Sequence, residues 1–104
     1  VRLHAEKDPK KERVVIFDRE TGENRVEVRF AAPLRRNGLV MRADGKTLVV
    51  SGDGGLFELD ATAARPDPRP LALPGVERPG PLAADAAGNL FVLDRGADYR
   101  VKVF

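Results

Sequence analysis

The sequence predicts an all-β fold of short antiparallel strands, and three observations carry that prediction. Short apolar runs, Val14 to Phe17, Leu48 to Val50 and Leu90 to Leu93, are bounded by Gly-, Asn- and Asp-rich turns. A glycine turn, an apolar strand and a closing strand recur in the same order in residues 37–60 and 79–104. The recurrence is regular: Gly45 and Gly88 lie 43 positions apart, and Leu48 and Leu90 lie 42 apart. A repeat of about 40 to 45 residues holding several short strands is the period of a β-propeller blade, built as a four-stranded antiparallel sheet.

The strands follow in order. Val1 to His4 reads as a strand end, and residues 6–13 as a solvated mixed-charge loop in which Glu6, Asp8 and Glu12 are interleaved with Lys7, Lys10, Lys11 and Arg13. Val14 to Phe17, β-branched and continuously apolar, suits a strand covered on both faces. Thr21-Gly22 makes a turn, after which Val26-Glu27-Val28-Arg29-Phe30 alternates as an outer strand with one wet face. The next unit runs from Asn37-Gly38 through Leu39 to Arg42, Leu48 to Val50 and Leu56 to Leu59, with Leu71-Ala72-Leu73 expected as its outer strand. Pro66, Pro68 and Pro70 mark Ala61 to Pro70 as an extended exposed loop, because proline withholds the amide a ladder needs. The last unit offers Leu82 to Asp85, Leu90 to Asp94 and Tyr99 to Phe104, turning at Gly88-Asn89 and at residues 95–98. Lettering strands a to d from the axis outward, the chain reads b-c-d, a-b-c-d, a-b-c. That divides one propeller segment into a partial blade (1–30), a complete blade (31–73) and a second partial blade (74–104). Val15, Ile16, Val49, Phe91 and Val92 are expected to be buried, and Glu27 and Arg29 exposed.

A propeller closes with about four to eight blades, and this chain holds about two and a half by its repeat length. It opens on Val1 rather than Met, so it is read as an excerpt or a processed piece. Its apolar fraction of 42% includes thirteen alanines and only six aromatic residues, a thin core for a chain alone. The outward faces of Val14 to Phe17 and of Leu90 to Leu93 are expected to be bare in one copy. The expected partners are therefore the remaining blades or further copies of the chain, three copies giving about six blades. No stretch approaches the roughly 18 apolar residues of a membrane span and no signal peptide is present, so the chain reads as soluble, with its compartment unset. The absence of cysteine excludes disulfides, thiolate metal sites and a cysteine nucleophile. A net charge of +2, from 18 basic and 16 acidic residues, gives no strong case for nucleic acid.

Residues 79–104 resemble an NHL repeat in Asp85, Gly88-Asn89-Leu90, Asp94 and Arg100-Val101-Lys102-Val103-Phe104. Phe17-Asp18-Arg19-Glu20-Thr21-Gly22-Glu23, Asn37-Gly38-Leu39 and Asp44-Gly45-Lys46-Thr47-Leu48 are similar instead to the regucalcin and gluconolactonase family of six-bladed propellers. The second resemblance implies a divalent cation (Ca, Mg or Zn) in the complete propeller, with Asn37 as one ligand, since an amide oxygen is a hard donor. That family's next aspartate falls at Gly80, which has no side-chain donor, so no tight divalent site is expected within this chain alone. The chemistry of Asn37-Gly38 itself favours a turn entering an inner strand.

Other constellations read as structural. Asp53-Gly54 is a hairpin signal. Asp18, Asp60 and Asp94 recur at strand ends, where a carboxylate accepts turn amides. Ser51 has no histidine near it in sequence, and the sole histidine is His4, which argues against a Ser-His triad. In propellers the d-to-a and b-to-c loops share one face, which would gather Arg35, Arg36, Arg78 and Arg95 with Asp53, Glu77 and Asp98. The charges nearly cancel and only Tyr99 offers a stacking ring, so this binding face suits a protein or small molecule better than nucleic acid. The expected function is a binding or scaffolding module. The alternative is a part of a metal-dependent lactonase or hydrolase propeller.

Overall fold

The computed structural model describes residues 2–4, 13–17, 20–30, 34, 38–53, 55–96 and 99–104, and of residues 2–4 and 24 the backbone only. Among these the fold is all-β, with no helix, and its strands form three separate antiparallel sheets. The first sheet orders β1 (Arg2–His4), β2 (Arg13–Phe17) and β3 (Asn24–Arg29). The second orders β4 (Gly38–Met41), β5 (Thr47–Gly52), β6 (Gly55–Asp60) and β7 (Arg69–Pro70). The third holds β8 (Pro79–Ala84), β9 (Leu90–Asp94) and β10 (Arg100–Val103), with β9 in the middle. No helix among the described residues is long and apolar enough to cross a membrane. The mixed-charge run and Asp18 lie largely or wholly outside the described residues; Arg13, at the end of the run, opens β2.

Strand alternation explains how the sheets stack. In β5, Leu48 and Val50 join Val14, Ile16, Val28, Phe30 and Leu34 in one core, while Val49 between them joins Leu56, Leu90 and Val92 in another. Successive side chains of a strand point to opposite faces, so the second sheet is covered on both sides. Across the first core Phe30 and Phe57 meet edge to face, with centroids 5.6 Å apart, a geometry worth about 0.5–1.5 kcal/mol beyond the area it buries. β4 and β8 approach closely. A Cβ on Gly38 would lie 2.8 Å from both the Gly80 oxygen and the Leu82 nitrogen, which leaves room only for glycine.

The small mismatch in repeat spacing has a structural cause. Gly45 and Gly88 each donate an amide bond to the residue three earlier, Arg42 and Asp85, so the two turns begin alike. The first turn then closes with Arg42 donating to Thr47, and the second one residue sooner, with Asp85 donating to Asn89. A glycine spacing of 43 thereby becomes a leucine spacing of 42.

Three expectations need correction, and the burial expected of Val15 is met by an unexpected cover. The outer strand of the second sheet is Arg69–Pro70, paired with Glu58 and Phe57, and not Leu71 to Leu73. Pro70 is tolerated because the strand is an edge, and Leu71 extends the pairing through one bond to the Leu56 carbonyl. Leu71 and Leu73 pack instead onto the second core from the connecting segment. Ala61 is likewise no exposed loop residue: it is buried in the first core, and its carbonyl accepts from the Arg25 guanidinium. Phe91 is half-buried, because alternation turns it to the outer face of the last sheet, while Val92 and Leu90 face inward. Val15 is only 4% exposed although it faces away from the second sheet; Arg13 and Glu27, paired at 3.4 Å, lie on the same face and cover it with their apolar stems. Glu27 and Arg29 are exposed, and Ile16 and Val49 buried.

Candidate functional site

At one end of the stack three segments converge on a cavity of about 270 Å³. The β5–β6 hairpin brings Asp53, the segment before β8 brings Glu77 and Arg78, and the segment after β9 brings Arg95 and Tyr99. Two of these segments belong to the third sheet and one to the second, so the cavity straddles the junction of the two sheets. A wider and more open depression lies at the ends of β5 and β6 that carry Thr47 and Asp60. Two of its four acids, Asp44 and Asp60, are engaged in the Thr47 and Thr62 turns.

Asp94 organises the smaller cavity. This carboxylate, at the end of β9 and 5% exposed, accepts the amides of Arg78 at 2.9 Å, Gly96 at 3.0 Å and Glu77 at 3.3 Å. The Lys102 ammonium pairs with it at 3.2 Å and also donates to the Gly75 carbonyl. These donors, the Arg78 amide foremost, hold the Asp94 pKa down at about 2 against the opposing effect of burial. The amide of Arg95 in turn donates to the Arg78 carbonyl at 2.8 Å. One carboxylate thus ties the backbone of residues 77–78 to that of residues 95–96, across 16 or more positions of sequence.

Two glycines set the walls. The pairing of β8 with β9 slips by one residue between Pro79 and Leu82, a bulge that contains Gly80. The Arg95 guanidinium lies over Gly80: a Cβ there would stand 2.7 Å from Nε and 3.1 Å from Cζ. Glu77 is seated in the same way over Gly96, where a Cβ would stand 2.8 Å from Oε2. Deeper in, Ser51 is fully buried; its hydroxyl donates to the Gly80 carbonyl at 2.5 Å and accepts the Gly38 amide at 2.7 Å. Ser51 therefore bridges β4 and β8, and its hydroxyl is engaged on both sides.

Of the residues expected on the binding face, Asp53, Arg78 and Arg95 line this one cavity, together with Glu77 and Tyr99. Arg35, Arg36 and Asp98 lie outside the described residues, as does Asn37, the ligand implied by resemblance. The divalent cation so implied does not fit the described residues. Where a second donor would stand is Gly80, and the group above it is a guanidinium, which repels a cation. Among the described residues no three His, Cys, Asp or Glu side chains cluster as a metal site. Sequence reasoning missed the roles of Gly80, Gly96 and Asp94 here. The recurrence of Asp94 at a strand end pointed to the local turn, which Gly96 satisfies, and carried no sign of the two upstream amides. No protein-family model, curated protein or solved structure matches the chain.

Proposed function

We propose that this chain is a segment of a β-propeller of the NHL-repeat or regucalcin-like type, and that it acts as a binding or scaffolding module. It contacts a protein or a small ligand through the loop end of the stack, and further blades or further copies of the chain cover its outer faces. The observation that carries this reading is the convergence of Asp53, Arg78 and Arg95, from both sheets, on one cavity. Ligands favour concave sites at such junctions. The stacking of a four-stranded sheet between two three-stranded ones, in the order b-c-d, a-b-c-d, a-b-c, supports the propeller part.

The mixed charge of the cavity supports a protein or small-molecule partner over nucleic acid, which demands a strongly basic surface. The reading as part of a metal-dependent lactonase draws no support from the described residues, because a guanidinium stands over Gly80. Nuclear magnetic resonance of the labelled chain against a library of small fragments tests the binding reading. Shifts confined to residues 52–55, 77–80 and 95–99 are expected. Hits scattered over the surface, or none, would remove it.

A further inference from the structure

The two ends of the stack differ in chemistry. The outward face of the first sheet carries Arg13, Glu27 and Arg29 around Val15, and Glu27 pairs with both arginines. That is the ordinary arrangement of an antiparallel sheet with one face in water. The third sheet reverses it. Its register sets Ala83, Phe91 and Val103 in one row and Leu93 and Val101 in the next, all turned away from the second sheet. By the same alternation the charged residues of its strands, Asp94, Arg100 and Lys102, fall on the other face, where Lys102 meets Asp94. The outward rows are therefore apolar throughout, with Val101 and Val103 more than half exposed. One sheet earlier, Val40, Val49 and Leu56 hold the register positions of Ala83, Phe91 and Val101, and there the face is packed against a neighbouring sheet.

We propose that this face binds the same face of a second copy of the chain about a two-fold axis, giving a dimer. Setting the third sheet of one copy on the first sheet of another would press apolar rows onto Arg13, Glu27 and Arg29 and strip water from them, at a cost no partner on the apolar face repays. Setting third sheet on third sheet buries no charge from these rows and lays apolar rows on apolar rows. A surface that binds itself closes at two copies, so the contact yields neither a ring of three nor a filament. Five side chains are far fewer than the roughly 20 to 30 residues a side of a standard interface, so the dimer is weak and forms as concentration rises. This inference rests on the reading above that blades or copies cover the outer faces, and narrows it to one end of the stack and one partner.

The test is sedimentation of the full chain from about 10 µM to about 1 mM, where a monomer–dimer equilibrium that stops at two copies is expected. Val101→Lys and Val101→Glu are each expected to weaken the dimer about a hundredfold, because each of the two copies loses a buried valine worth about tenfold. Val101 is exposed in the single chain, so both variants are expected to melt as the dilute parent does. Mixing the two variants is expected to recover pairing, because a two-fold contact brings the introduced ammonium of one copy onto the face that bears the introduced carboxylate of the other. Arg29→Ala, on the opposite end of the stack, is expected to leave the dimer unchanged. A parent that stays monomeric throughout would overturn the proposal and leave the face to a different partner. Association past two copies, a dimer weakened by Arg29→Ala, or mixed variants that stay apart would overturn the two-fold contact while keeping copies as the cover. Fragment binding at the cavity is read separately, so the binding reading stands or falls on its own.

Discussion

Ser51 shows what a single hydroxyl does in a junction this tight. It joins the Gly38 amide to the Gly80 carbonyl, so Ser51→Ala leaves a buried donor and a buried acceptor without it. A loss of about 1–3 kcal/mol is expected in urea unfolding. Gly38→Ala strikes the same contact from the other side. Its methyl group would meet backbone rather than a movable side chain, and overpacking of that kind costs about 1–3 kcal/mol. Asp94 and Asp44 are two of the carboxylates that make stability depend on pH. The Arg78 amide foremost holds Asp94, and the Thr47 hydroxyl foremost holds Asp44, each at a pKa of about 2. Because both folded values lie below the unfolded carboxyl value of about 3.9, their contribution is complete above that value and is lost as pH falls toward 2. Asp60 and Asp85 are lowered as well, with the same sign. The stability gap between the parent chain and Asp94→Asn is expected to be wide at pH 7 and to close near pH 2. A gap independent of pH would show that the Asp94 carboxylate matters through shape alone.

At the scale of the element, the middle strands carry the core. Leu90 is fully buried in β9, and Leu90→Ala is expected to cost about 2–5 kcal/mol. Thermal melting would check it, with Ala64→Ser, at an exposed position of the segment after β6, as the near-neutral control. The middle strands were also the most legible in the sequence, because β-branched runs bounded by glycine turns leave few alternatives. Strand β7 was not legible. Leu71-Ala72-Leu73 has the alternation of a strand, yet its leucines pack on a core from a connecting segment, while the proline-bearing Arg69–Pro70 makes the pairing. Alternation reports which side chains are buried; it does not report which backbone finds a partner. The candidate site was half legible for a related reason. Its charged residues could be gathered by counting loops, whereas the glycine seats arise from contacts between segments far apart in sequence.

For the whole molecule, the third sheet presents Phe91, Leu93, Val101 and Val103 on the face turned away from the second, with Val101 62% and Val103 56% exposed. Phe91 stands in the repeat where Val49 stands in the second sheet, and Val49 is fully covered. If further blades or copies cover this face as proposed, the isolated chain will associate as its concentration rises. Val101→Lys with Val103→Lys is expected to restore a monomer in light scattering. A cooperatively melting parent monomer at all concentrations would refute that assembly.

The placement of a core on each face of the second sheet also sets how the molecule breathes. In a linear stack each layer is coupled only to the layers beside it, so opening starts at the two ends and moves inward, without a single global event. Amide hydrogen exchange is then expected to be graded along the stack. Leu48 to Val50, clamped from both sides, would hold their deuterium-exchangeable protons longest, and β10 would surrender its own first. The cavity lies between the slowest layer and a faster one, so a ligand seated there acts as a rivet: its binding is read most strongly as slowed exchange in the third sheet, several strands from the ligand itself.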